Sequence, residues 1–281
     1  MFEVRGELPL LRHVVAGLAV MALVAGCGKR PEPAPAETAT PGPAPAAVAT
    51  APAVKALSPL QRPELLAAAA AAANAAAAGQ APPRSNLDLT DRTFEIRLPF
   101  ACNDGVLGAW GTWSVEPATS ALHVSFHRQR WGDDPVFRAL APGTAFDAAE
   151  GFWIERPWTN AEQCPAALPP PAAAPGQPAT APSPVHVLAL VQYFAPDGPR
   201  TLRRGNRPYA YAAKLADGGE PEAAGFRVKL VGRISGFADG QPVHCLVQQA
   251  SQPPVCAMAV AFTKVVLENA ATGESLTEWG G

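Results

Sequence analysis

Four arginines fall within eight residues: Arg200, Arg203, Arg204 and Arg207, in PRTLRRGNRP. A guanidinium fork pairs bidentately with carboxylates and phosphates, so this stretch is the candidate contact for an anion or a partner. As an ordinary solvated loop it would instead pair with acidic residues of its own domain. His123 and His127 have the i, i+4 spacing of zinc ligands on a helix. They lie, however, in a run that alternates as a strand, where four residues advance about 13 Å. Two imidazoles so far apart cannot share one ion at bonds near 2.0–2.1 Å. His186 and His244 stand alone. Asp133 and Asp134, in WGDDP, read as a turn before they read as a catalytic pair, because paired acids must converge from different elements. Trp110 and Trp113 in GAWGTWSVE, with Trp153 and Trp158 in GFWIERPW, suit either a core or a stacking groove for a sugar or peptide. The sequence contains no GxSxG elbow, P-loop, dinucleotide-binding glycine pattern or HExxH, so no cofactor, metal or local catalytic motif is expected.

The elements that must position these residues read as strands. Phe94, Ile96 and Leu98 alternate with polar neighbours, as do Leu122, Val124 and Phe126, and Phe226, Val228 and Leu230. Period two of this kind buries one face of an antiparallel sheet. Val185–Phe194 and Val255–Phe262 are apolar on both faces and read as central strands. Turns are signalled at Glu116–Ser120, Asp239-Gly240, Gln252-Pro253-Pro254 and Asn269–Gly273. The expectation is a mainly β domain over 85–280, an antiparallel sandwich or open barrel of about eight or nine strands. PYAYAAKLADGG, after Arg207, reads as a short helix ended by Gly218, although it also alternates. Residues 165–184 hold eight prolines in twenty, the composition of a mobile insertion.

Ahead of that domain, SPLQRPELLAAAAAAANAAAAGQ (58–80) predicts a helix of about 16 residues. Pro63 suits its first turn, Glu64 the positive end of its dipole, and Gly79 the position just past its end. Earlier still, 17 of the 27 residues Pro31–Leu57 are Pro or Ala, with no aromatic among them. Such a segment buries too little to offset its ordering entropy and should reach on the order of 80 Å as an extended linker. Val14–Gly26 is an uncharged apolar run of thirteen, too short to span a bilayer of ~30 Å and the length of a signal-peptide core. It ends in Val24-Ala25-Gly26-Cys27, which resembles the lipobox of bacterial lipoproteins. The resemblance implies a signal peptide over 1–26 and a mature chain that begins at a lipidated Cys27. Residues 27–57 would then be the tether, and the domain would face the periplasm. Gly28, in place of Asp, implies the outer membrane.

Cys102, Cys164, Cys245 and Cys256 remain, an even number in an exported chain, which reads as disulfides. Three pairings exist. Cys245 and Cys256 flank the turn near Ser251 symmetrically, which favours that pair and leaves Cys102 with Cys164. No CxxC or Cys/His cluster supports a metal site. A net charge of −2 over 281 residues lacks the cationic surplus that nucleic-acid binding needs. The function expected is therefore non-catalytic: a membrane-tethered cell-envelope module that binds or scaffolds, held to the bilayer by lipid and facing an envelope protein or glycan. The alternative is an envelope hydrolase whose acidic or histidine groups are dispersed in sequence.

Overall fold

The computed structural model describes residues 57–100, 110–154, 158–163, 187–200, 203–215 and 225–280. The expected signal peptide (1–26), Cys27, most of the expected tether, Cys102, Cys164, His186 and the proline-rich stretch 165–184 lie outside these. The described residues belong to one compact unit, Val54–Gly281.

The domain is mainly β, with eleven strands among the described residues and no closed barrel. The large sheet runs β1 (Thr93–Phe100), β8 (Phe226–Ile234), β10 (Val255–Asn269), β6 (Leu188–Phe194), β5 (Ala148–Trp153), β4 (Gln129–Arg130). The fifteen residues of β10 are its spine. The first half of β10 pairs with β6 and with β9 (Val243–Leu246); the second half pairs with β8 and β11 (Ser275–Gly280). The change of partners falls between Ala259 and Val260, and a bulge between Phe262 and Lys264 follows within the pairing to β8. Such an extra residue bends a strand and lets one strand serve two differently twisted half-sheets. A second sheet is the meander β2 (Gly111–Glu116), β3 (Ala121–Phe126), β7 (Tyr209–Lys214).

Both sheets contribute to one core, where Phe100 lies 5.8 Å from Phe126 and 6.0 Å from Phe226 by ring centroids. A smaller cluster forms on the other face of the large sheet, around Trp131, Phe137 and Phe237. β6 is buried on both faces because it separates the two: Leu188 and Leu190 face the first cluster, Ala189 and Val191 the second. Gly151 on β5 has a steric cause. A Cβ there would meet the Leu190 carbonyl, so only glycine permits this approach of β5 to β6.

The strand pairing is mainly antiparallel, as expected, with β6 running parallel to β10. Two expectations are corrected. The strands exceed nine because β4 and β9, of two and four residues, are too short to announce themselves by alternation. The segment after Arg207 is strand β7, not a helix: Tyr209 is buried on the core side and pairs with Phe126, a tertiary contact that overrides the helix propensity of its alanines.

The alanine helix α1 (Arg62–Ala77) has the length expected, with Pro63 in its first turn and Gly79 beyond its end at φ +66°. It packs against the β domain. Leu65, Leu66, Ala69 and Ala72 join the main core, and small side chains let the helix lie close to the sheet. Its entry is stitched to β1, since Leu60 N–H donates to the Thr93 carbonyl at 2.8 Å and the Leu60 carbonyl accepts from Glu95 N–H at 2.9 Å. Asn86 Nδ2 donates to the Ala68 carbonyl at 3.1 Å from the following 3-10 turn. Among the described residues no helix is long and apolar enough to cross a membrane.

Candidate functional site

The arginine loop connects β6 to β7 and lies between two recesses. Its conformation is set by a carboxylate of β5. Glu150, 2% exposed at its side chain, accepts the N–H of Arg204 at 2.9 Å and of Gly205 at 2.8 Å. A buried carboxylate needs such donors to offset its lost hydration. Gly205 turns the chain here at φ +59°, a conformation glycine adopts without penalty.

The four arginines divide into two pairs. Arg200 binds Asp147 bidentately, at 3.0 and 2.7 Å, and holds that carboxyl below its usual range. Arg203 lies 3.8 Å from both Asp147 and Glu150. These two answer to their own domain. Arg204 instead lies over the Tyr209 ring at 4.3 Å and donates to the Pro208 carbonyl at 2.6 Å, and its buried Nε has no hydrogen-bond partner among the described residues. Arg207 is exposed and donates only to the Arg203 and Arg204 carbonyls. Neither makes an ion pair among the described residues.

Arg204 and Arg207 line a cationic recess of about 90 Å³, together with Arg128, Lys264, Tyr209 and Trp279. Arg128 is buried at its floor. Arg128 Nε donates to the Tyr209 hydroxyl at 2.9 Å and Nη1 to Gln192 Oε1 at 3.2 Å, with the guanidinium 4.7 Å from the Phe262 ring centroid. Lys264 pairs with Glu278 at 2.9 Å. Burial raises the Tyr209 hydroxyl pKa, against the pull of Arg128 and Arg204, and so keeps the hydroxyl protonated. No Asp or Glu belongs to the described lining.

On the other side of the loop is an acidic recess with Asp133, Asp134, Asp147 and Glu150 in its wall. Three of these carboxylates have structural partners. Asp134 caps the short helix α2 (Pro135–Leu140) by accepting Val136 N–H at 2.8 Å. Asp147 has Arg200, and Glu150 has the loop amides. Asp133 is fully exposed and 3.8 Å from Arg138.

The remaining sequence candidates are dispersed. His123 and His127 are both exposed on and just after β3, and among the described residues no group of three or more His, Cys, Asp or Glu is placed to hold a metal. His244 is engaged at both ring nitrogens, Nδ1 at 2.8 Å from the Leu140 carbonyl and Nε2 at 3.0 Å from Asp239. Trp110 is buried just before β2 and Trp113 packs half-buried against Phe226, so the pair serves the core rather than a groove. Trp158 is the exposed one, at 68%, beside an apolar groove along α1. Cys245 and Cys256 stand opposite each other in the β9–β10 register and form a disulfide.

Sequence reasoning missed Arg128, Tyr209, Lys264 and Trp279, which arrive from four separate places in the fold. Only Arg128 carried a signal, because it continues the inward phase of Leu122, Val124 and Phe126. Comparison with protein-family models, with curated proteins and with solved structures gave no match.

Proposed function

We propose that this chain is a lipoprotein of the bacterial cell envelope, anchored through Cys27 on the periplasmic side of the outer membrane, whose β domain is a non-catalytic binding module. The observation that carries the binding reading is the division of the arginine loop. Asp147 and Glu150 fix the loop through Arg200, Arg203 and two backbone amides, and so hold Arg204 and Arg207 beside Tyr209 and Trp279, with no carboxylate partner among the described residues. Rigid presentation of unpaired guanidiniums is what recognition of an anionic group requires. The lipobox, the Pro/Ala tether and the disulfide fit an exported, tethered domain. The hydrolase alternative draws on the acidic recess. There a general acid needs a carboxyl whose pKa is raised, whereas Asp147 is lowered by Arg200 and Glu150 is committed to the loop amides.

The test is cross-linking in intact cells, comparing the wild type with Arg207→Glu. Arg207 is the right position because it is exposed, whereas a carboxylate at Arg203 would face buried Glu150 and disrupt the loop itself. The expected result is an envelope protein or glycan captured by the wild type and lost in the variant. Equal capture by both, or no envelope partner for the wild type, would contradict the reading.

A further inference from the structure

We infer that the cationic recess between the arginine loop, β10 and β11 is a binding site for a single phosphate group. This deepens the binding reading above by naming the ligand class, and it rests on that reading only for the compartment. Size selects first. At about 90 Å³ the recess is several-fold smaller than the ~300–1,000 Å³ pockets that enclose whole drug-sized ligands. It takes one terminal group of a ligand and leaves the remainder outside. Charge selects next. Lys264 is balanced by Glu278, which leaves the guanidiniums of Arg204 and Arg207 facing a lining that contains no described carboxylate. A phosphate monoester carries about −1.5 to −2 at neutral pH and offers three acceptor oxygens, which answers two guanidiniums better than the single charge of a carboxylate. Donors complete the match. The Arg204 Nε is buried with no partner among the described residues, and a buried donor left unpaired is costly. The Tyr209 hydroxyl already accepts from Arg128, so its own proton is left to donate. Phe262 behind Arg128 and Tyr209 beneath Arg204 hold the planar guanidiniums in place, which lowers the entropy lost on binding.

The experiment is calorimetric titration of the full chain at low ionic strength with inorganic phosphate, with glycerol 3-phosphate and with acetate. Phosphate and the monoester should bind, and acetate should bind at least about tenfold more weakly. Arg204→Met and Arg207→Met should each weaken phosphate binding by about tenfold or more, while Arg200→Met, on the Asp147 side of the loop, should change it by less than about twofold. Arg207→Met guards against misreading a misfolded loop, because its side chain is exposed and, among the described residues, hydrogen-bonds only to loop carbonyls. Vesicles of phosphatidylcholine with phosphatidic acid distinguish the sources. Displacement of bound phosphate by them assigns a lipid headgroup, and lack of displacement assigns a soluble or glycan-borne phosphate. Absence of phosphate binding, equal binding by Arg207→Met, or vesicle binding that Arg207→Met leaves intact would overturn the site. Failure here leaves the tether reading standing, since that falls only on the anchoring of Cys27.

Discussion

Glu268→Ala should lower the unfolding free energy by about 3 kcal/mol, near the lower end of the ~3–5 kcal/mol typical when one partner of a buried ion pair is removed. Glu268 is 2% exposed at its side chain and serves three cations from two neighbouring strands. Arg97 Nε lies at 3.0 Å, Arg227 Nη2 at 3.2 Å and Lys229 Nζ at 3.0 Å. For Arg97, burial opposes the charge, but the field and hydrogen bond of Glu268, with help from Glu95, outweigh it and raise its pKa. Without Glu268 the three positive charges repel one another on one face of β1 and β8. The cost stays near the lower end because Arg97 and Lys229 are 23% and 22% exposed and can recover some water, and because Arg97 keeps Glu95 at 2.7 Å and Glu162 at 3.7 Å. Urea unfolding would measure it, with Glu95→Ala as the partly exposed control expected to cost under about 1 kcal/mol. Equal, small effects from both variants would mean that the network only decorates the sheet.

Cys245→Ala/Cys256→Ala should also cost about 3 kcal/mol, for a different reason. The two residues are separated by eleven positions, and removing a cross-link of that span returns roughly 3 kcal/mol of loop entropy to the unfolded chain. Alanine preserves a small apolar side chain at the buried Cys256 position, so the loss reports the cross-link rather than a large cavity. The effect should be largest at β9, which has four residues and, among the described strands, pairs only with β10. Amide exchange should therefore rise first at Val243–Leu246. A double variant within about 1 kcal/mol of the oxidised wild type would show that pairing of β9 with β10 holds without the bond.

What the sequence could and could not reveal follows from the range of each interaction. Phe94, Ile96 and Leu98 disclosed β1, and Pro63 and Gly79 disclosed α1, because alternation and helix-end chemistry are local. The doubly apolar runs around Leu190 and Met258 identified β6 and β10 as central strands for the same reason. β7 is not legible as a strand because Tyr209 becomes a core residue through Phe126 and Trp279, which lie far away along the chain. The arginine loop was conspicuous by composition. Its division into a clamped pair and a presented pair was not, since it depends on Asp147 and Glu150 reaching across from β5. The rest of the recess was invisible for a topological reason: β10 and β11 bring Lys264 and Trp279 to a loop that precedes them in the chain. Arg128 is the exception, since its position in the chain is itself a local signal. An arginine at position 128, in the buried phase of a strand, announces either a paired charge or the floor of a site.

The envelope reading depends on the domain being held at a membrane, where a tether of on the order of 80 Å would raise its local concentration near envelope ligands. The most direct measurement is fractionation of cells expressing the wild type and Cys27→Ser, with the mass of the mature N-terminal peptide determined in each. The account predicts that the wild type partitions with membranes and begins at an acylated Cys27, while the variant loses both properties and retains its leader. A Cys27→Ser chain that still partitions with membranes, or a wild-type N-terminus without lipid, would contradict it.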